Sequence, residues 1–165
     1  MNKQTADLCD QTPAAVFVAT PLFSDYGAVR AFCGQIATVK VHEDNLLVRQ
    51  AIEEAGAGRV LVIDGGGSLR CALVGDKLAA LAHQNGWAGL VVYGAIRDSR
   101  AIASIPIGVK ALNTNPFRSV KKGAGDRDIA VTFAGVTFTP GHWLYADEDG
   151  IIVAAQALIE PADTP

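Results

Sequence analysis

The stretch that decides the fold runs from Arg59 to Asp98, RVLVIDGGGSLRCALVGDKLAALAHQNGWAGLVVYGAIRD. Arg59 to Asp64 is a continuous apolar run, the pattern of a strand buried on both faces. It enters a loop, Gly65-Gly66-Gly67-Ser68. Gly75-Asp76 opens a helix with Leu78, Leu81 and Ala82 as its apolar stripe, and Asn85-Gly86 closes it. Gly89 to Tyr93 reads as the next buried strand, ending in Gly94-Ala95-Ile96-Arg97-Asp98. Two strands joined through a helix imply a parallel pair.

Upstream, Gly34 to Val41 alternates and is rich in β-branched residues, so it reads as a strand. Asn45 is placed to cap a helix reaching about Ala55, with Leu46, Leu47 and Ile52 on one face and Gly56 and Gly58 ending it. Thr5 to Cys9 suggests a first helical turn capped by Thr5. Downstream, Ser99 is the expected cap of a short helix toward Ser104. The last third changes character. Gly108 to Leu112, Ile129 to Phe133, Val136 to Phe138 and Ile151 to Val153 read as short strands, separated by turns at Ala134-Gly135, Pro140-Gly141 and Asp149-Gly150. An α/β middle followed by a β-rich end fits one α/β domain over residues 1–165, with mixed sheets and helices packed on one side.

Composition excludes several function classes. The chain has 165 residues, half of them apolar and 19% charged, which is ample for one core. Fourteen basic against seventeen acidic residues give a net charge of −3 and no basic stripe, so no nucleic-acid partner is expected. The apolar runs are far shorter than a membrane span, and Met1 to Asp10 holds no apolar signal region, so a cytoplasmic protein without membrane contact is expected. Cys9, Cys33 and Cys71 are odd in number and widely spaced, as expected of reduced thiols. His42, His83 and His142 have no second His or Cys at metal-ligand spacing.

In parallel α/β units ligands gather beyond the carboxyl ends of the strands. Two such ends are expected here: the loop after Asp64, leading to the helix start at Gly75-Asp76, and the loop after Tyr93, carrying Arg97-Asp98. Backbone N–H groups at Gly75 to Leu78 would offer an anion site, Arg97 a planar fork for a carboxylate, and Asp98 a hard oxygen ligand for Mg²⁺ or Mn²⁺. The bland alternatives stay open at each position. A Gly-Asp at a helix start commonly serves only as a cap, and an adjacent Arg-Asp as a surface pair. Gly65 to Ser68 matches neither a P-loop nor GxGxxG.

Several segments resemble the RraA-like family, which includes the 4-hydroxy-4-methyl-2-oxoglutarate aldolases and the regulators of ribonuclease E activity. They are Asp64 to Arg70, Ala72 to Asp76 and Gly86 to Asp98; Leu8-Cys9-Asp10, Pro21 to Ser24, Gly34-Gln35-Ile36 and Val39-Lys40 before them; and Phe133 to Phe138 and Tyr145 to Ile152 after them. The most specific element is an Asp, twenty intervening residues, then Arg-Asp, met by Asp76 and Arg97-Asp98. The resemblance implies a single-domain swivelling β/β/α sandwich assembled as a homotrimer or hexamer. It implies Asp98 as the metal ligand and Arg97 as a substrate contact. It also implies a Gly-Asp-x-Leu segment, Gly75, Asp76, Lys77 and Leu78, that holds the oxo acid. The longer aldolases of the family carry an extra C-terminal helix that gives an acidic residue to a neighbour's site. No such helix is expected in Glu160 to Pro165.

The activity implied is that of a class II pyruvate aldolase and oxaloacetate decarboxylase using Mg²⁺ or Mn²⁺. It would cleave 4-hydroxy-2-oxo acids to pyruvate and decarboxylate oxaloacetate through a metal-stabilised pyruvate enolate. The expected catalytic residues are Asp76 and Arg97, with Asp76 positioning the water or hydroxide that takes the C4-hydroxyl proton. None of the three motif positions, Asp76, Arg97 and Asp98, is a lysine that could form a Schiff base. The alternative within the same resemblance is a non-catalytic regulator that binds a ribonuclease.

Overall fold

Four parallel strands lie side by side at the centre of the computed structural model, which describes residues 4–159. In chain order the elements are α1 (Thr5–Gln11), β1 (Val16–Val18), β2 (Ser24–Asp25), β3 (Phe32–Lys40), α2 (Leu46–Glu53), β4 (Val60–Asp64), β5 (Ala72–Val74), α3 (Asp76–Gln84), β6 (Gly89–Ile96), α4 (Ser99–Ile102), β7 (Gly108–Thr114), β8 (Asp126–Arg127), β9 (Val131–Phe133), β10 (Val136–Phe138), β11 (Trp143–Asp147) and β12 (Gly150–Ala154). The large sheet runs β1-β12-β11-β3-β4-β6-β7-β2, and β9 and β10 form a separate hairpin. Pairs β3–β4, β4–β6 and β6–β7 are parallel, and the flanking pairs are antiparallel.

The nine-residue β3 joins the two halves. Its first part pairs with β11 and its second part with β4. Side chains alternate across the sheet as period-two geometry requires. Leu61, Ile63, Leu90 and Val92 face α2 and α3, where Val48, Ala51, Ile52, Ala79 and Ala82 complete one core. Val60, Val62 and Val91 face the other way, against Phe133, Phe138 and Leu144. Tyr93, Phe133 and Phe138 stack there at successive centroid distances of 4.5 Å. The layers are therefore hairpin, sheet and helices: a mixed α/β fold of the expected β/β/α kind.

The parallel β4–α3–β6 unit is present, with β4 and β6 as direct neighbours. Several local expectations need correction. β6 continues to Ile96, because its last residues gain a second neighbour, β5, beyond the end of β4. Thr5 is a helical residue and not a cap: its N–H and hydroxyl both donate to the Asp147 carboxylate, at 2.6 and 2.7 Å. The buried stripe of α3 is Ala79 and Ala82, with Leu78 and Leu81 half-buried beside it. The face that α2 buries is Val48, Ala51 and Ile52, with Leu47 packed against it. Asp98, not Ser99, occupies the cap position of α4. The short strands β1, β2, β5, β8 and β11 lie outside the predicted set. All three thiols are free. Among the described residues no helix is long and apolar enough to cross a membrane. Residues 1–3 and the expectation for Glu160 to Pro165 lie outside the described residues.

Candidate active site

The ends of β5 and β6 set the site. β5 pairs in parallel with the end of β6, Ala72 opposite Ala95 and Val74 opposite Ile96, so both strands release their chains at the same edge. After β5 the chain turns through Gly75 into α3. After β6 it places Arg97 and Asp98 directly beside that turn. The Arg97 N–H donates to the Val74 carbonyl at 2.9 Å, which locks the two loops together.

Asp98 has φ 57° and ψ 35°, the left-handed region. Side chains with a Cβ rarely adopt it, Asp and Asn being the most tolerant. That conformation turns the carboxylate back across the helix start. Asp98 Oδ2 lies 3.4 Å from the Asp76 N–H and 3.6 Å from Arg97 Nε. Gly75 makes this approach possible. A Cβ built there would stand 2.7 Å from Asp98 Oδ2 and 3.3 Å from Arg97 Nε. The close contact is with side-chain ends, while the Gly75 backbone itself, φ −124° and ψ −175°, suits any residue. Gly75→Ala should therefore leave stability within about 1 kcal/mol of the parent. It should nevertheless displace the Asp98 carboxylate and lower turnover on the order of 10²-fold. Thermal denaturation together with pyruvate release checks this; unaltered turnover would show that Asp98 has no exacting position to lose.

The surface-pair reading of Arg97-Asp98 gains little from this geometry. Both side chains are 42% exposed and their contact is long. An exposed pair of that kind contributes about 0–1 kcal/mol, too little to account for a strained aspartate. The cap reading of Asp76 is met in part, since Asp76 Oδ1 accepts the Lys77 N–H at 2.7 Å.

The five predicted residues Gly75, Asp76, Lys77, Leu78 and Arg97, together with Asp98, all line one open cleft of about 790 Å³. The loop after Asp64 does not. Asp64 accepts the Gly66 N–H, and Gly65 and Gly67 donate to the Tyr93 carbonyl, so that loop folds into a turn against β6. The chain then adds β5, and β5 carries the helix start to the cleft.

Sequence reasoning missed a second wall of the cleft, formed by Asn45, Arg49 and the segment from Phe117 to Lys122. The available signal was charge: Arg118, Lys121 and Lys122 fall within five residues of a stretch without strand or helix periodicity. With Arg49, itself paired to Glu53 at 2.8 Å, and with Lys77 and Arg97, the lining carries six cationic side chains against the two carboxylates Asp76 and Asp98. The cleft thus favours a small anion with more than one negative charge.

A neighbouring network fixes this wall from below. Glu43 has φ 56° and accepts from Arg70 Nε and Ser68 Oγ, both at 2.7 Å. The Arg70 hydrogen bond, followed by that of Ser68, pulls the Glu43 carboxyl down from 4.5 to about 2. Asn45 sits at the start of α2, but its amide donates across to the Leu73 carbonyl at 3.2 Å instead of capping the helix. Asp44 takes the capping role, its Oδ1 accepting the Leu46 N–H at 3.0 Å.

Among the described residues no three His, Cys, Asp or Glu side chains cluster as a ready cage for a metal. A zinc-type site is therefore a poor fit. Mg²⁺ and Mn²⁺ fit the donors present: one exposed aspartate suffices as a protein anchor when water and a chelating ligand supply the other oxygens. Only Oδ2 of Asp98 is engaged by described residues, and weakly.

Comparisons with known proteins extend over the whole fold. The RraA-like model, described as aldolase/RraA, matches residues 5–153. A protein of Aromatoleum aromaticum, named as a candidate 4-hydroxy-4-methyl-2-oxoglutarate aldolase, is 60% identical over 159 residues, covering 96% of this chain and 100% of the relative. A Geobacillus kaustophilus structure, described as an S-adenosylmethionine:2-dimethylmenaquinone methyltransferase, superimposes with a TM-score of 0.93 at 50% identity, covering 94% of this chain and 97% of that one. The RNA-processing inhibitor RraA from Thermus thermophilis superimposes with a TM-score of 0.93 at 42% identity, covering 99% of each chain. With a family match across nearly all of its described length and relatives of this identity, the chain belongs to the RraA-like family.

Proposed function

We propose that the chain is a divalent-metal-dependent lyase that releases pyruvate from small 2-oxo acids, cleaving 4-hydroxy-4-methyl-2-oxoglutarate-type substrates and decarboxylating oxaloacetate. The observation that carries this reading is the left-handed Asp98, which brings a carboxylate, the Arg97 guanidinium and the start of α3 to one point in a cationic cleft.

Three different activities are attached to the relatives' names, so the shared fold cannot choose among them. The chemistry of the cleft does better. A methyl donor such as S-adenosylmethionine carries a sulfonium cation and an adenine ring. Six cationic side chains around the cleft disfavour the first, and the lining offers only one aromatic residue, Phe117, to the second. A regulator that acts by protein contact needs no converging Arg and Asp. A 2-oxo acid needs both.

Asp98 would hold the metal and Arg97 the substrate carboxylate, with the turn from Gly75 to Leu78 lying against the substrate; the Asp76 and Lys77 N–H groups in that turn already meet the Asp98 and Asp76 carboxylates. A bound divalent cation would supply Lewis acidity at the 2-keto oxygen. In both reactions the C3–C4 bond breaks and its electrons delocalise into the 2-keto group, giving the enolate of pyruvate. Arg97 would stabilise the negative charge that develops there. For a 4-hydroxy substrate the C4 hydroxyl must also lose its proton, and C4 leaves as the new carbonyl. Asp76, at the first turn of α3, orients the water that accepts this proton. Oxaloacetate loses CO₂ without that step. Protonation of C3 completes pyruvate in each case.

The test is a pyruvate-release assay on both substrates. Chelator treatment should reduce the rate to the uncatalysed background, and Mg²⁺ or Mn²⁺ should restore it. Full activity after thorough chelation would remove the metal from the mechanism. No activity under any metal would favour the ribonuclease-binding alternative.

A further inference from the structure

The Asp44 carboxylate is the most heavily used hydrogen-bond acceptor near the cleft, yet it does not line it. Asp44 is 2% exposed. Its Oδ1 accepts the Leu46 N–H at the start of α2. Its Oδ2 accepts the N–H groups of Lys122 and Gly123 at 2.8 Å and that of Ala124 at 3.2 Å. Burial alone would push this carboxyl up, but the four backbone donors outweigh it and hold it below its ordinary value. Three of those donors belong to the loop between β7 and β8. One buried anion thus collects the end of the cationic wall and ties it to the base of α2.

The same loop is stitched at two further points. The Val120 N–H donates to the Glu43 carbonyl, and the Asn45 N–H donates to the Val120 carbonyl. The Ala72 N–H, at the start of β5, donates to the Phe117 carbonyl. Gly123 has φ +82° and Gly125 φ +142°, so the loop needs glycine at both positions to close onto Asp44. A segment without regular structure is therefore tied down at several points, and it lines the same cleft as Arg97 and Asp98. One polar group in it is left over. The Ser119 hydroxyl is buried, lines the cleft and has no hydrogen-bond partner among the described residues. Buried hydroxyls are ordinarily satisfied, so this one marks a place for a ligand atom or a water.

We propose that Asp44 is a positioning residue for substrate choice: it fixes the segment from Arg118 to Lys122 as a second anion subsite, which takes the distal carboxylate of a dicarboxylic 2-oxo acid. This rests on the 2-oxo-acid reading given above. The near carboxylate belongs to Arg97. The far one meets Ser119 and the paired lysines, Lys121 and Lys122. A monocarboxylate would engage only the first of these two groups of donors.

Calorimetric titration of the full chain with Mg²⁺ present separates the two ideas, using two stable ligands. 2-Oxobutanoate has one carboxylate, and 2-oxoglutarate has a second and no C4 hydroxyl to react. The unaltered chain should bind 2-oxoglutarate about tenfold or more tightly than 2-oxobutanoate, the preference expected from one added charge-assisted hydrogen bond. The double variant Lys121→Ala/Lys122→Ala, changed only in exposed side chains, should lose that preference. Asp44→Asn puts amide hydrogens where N–H donors converge, and should lose it too, with a much smaller change for 2-oxobutanoate. Equal losses for both ligands in a folded Asp44→Asn would make Asp44 merely structural and overturn the proposal. Should Asp44→Asn fail to fold, the lysine variant decides: a full preference retained there overturns the subsite. Binding of 2-oxobutanoate without preference in the unaltered chain refutes this inference alone. Binding of neither ligand refutes the 2-oxo-acid reading as well.

Discussion

Asp98→Ala is expected to lower pyruvate release from both substrates by about 10²–10³-fold or more, the scale of losing a centre that stabilises developing negative charge. Asp98 sits at φ 57° and ψ 35° between β6 and α4, and its carboxylate reaches back to the start of α3. Alanine removes the carboxylate that reaches that point from the end of β6. It also places an ordinary side chain in a left-handed conformation, at a cost of about 1–2 kcal/mol. Asp98→Asn separates the two effects, because asparagine tolerates that conformation while losing the charge. Mn²⁺ binding, followed by electron paramagnetic resonance, should weaken sharply in both variants. Melting should fall more for alanine than for asparagine. Near-normal turnover in a folded Asp98→Ala would reject the metal site and favour a protein-binding role.

How much of this was legible in the sequence depends on what specifies each part. β4, α3 and β6 were readable because their signals are local. Val60 to Asp64 and Gly89 to Tyr93 are unbroken apolar runs, and Gly75 and Asn85-Gly86 punctuate the helix between them. β5 was not readable. Ala72 to Val74 is only three residues long and becomes a strand because β6 outruns β4 and leaves an open edge. The same cause hid the last residues of β6, where Gly94 suggested a break. β11 was missed because Trp143 to Asp147 follows a Pro-Gly turn and shows no clean alternation; four of its five residues are buried between β3 and β12.

The site divided along similar lines. Asp76, Arg97 and Asp98 follow strand ends and share a recognisable spacing, so one wall of the cleft could be named in advance. The other wall depends on contacts far apart in sequence. Asp44 holds Lys122, 78 residues away, and the Ala72 N–H donates to the Phe117 carbonyl. No periodicity encodes such a loop. Its basic residues stood out, but their destination did not. The cap positions failed for a related reason. Thr5, Asn45 and Ser99 each look like caps, yet Thr5 is drawn to Asp147, Asn45 to Leu73, and Ser99 yields its place to a left-handed aspartate. Tertiary partners override local capping at Thr5 and Asn45, and at Ser99 the backbone of the preceding residue decides.

Asp76→Asn is expected to split the two reactions. Aldol cleavage requires removal of the C4-hydroxyl proton, and a positioned base contributes about 10²–10⁴-fold to such a step. Decarboxylation of oxaloacetate has no hydroxyl proton to remove. If Asp76 organises the proton-accepting water, cleavage should fall by that factor and decarboxylation by far less. The substitution is close to isosteric. Asparagine keeps an oxygen that can accept the Lys77 N–H, as Asp76 Oδ1 does at 2.7 Å. It gives up only the favourable placement of a negative charge at the first turn of α3, about 0.3–1 kcal/mol. The helix should therefore remain, and circular dichroism should confirm it before rates are compared. The informative quantity is the ratio of the two rates within one protein sample, since errors in active concentration cancel there. Equal losses in both reactions would rule out proton handling and leave Asp76 as a substrate-positioning residue. Greater loss in decarboxylation would contradict the mechanism outright, because the step assigned to Asp76 is absent from that reaction.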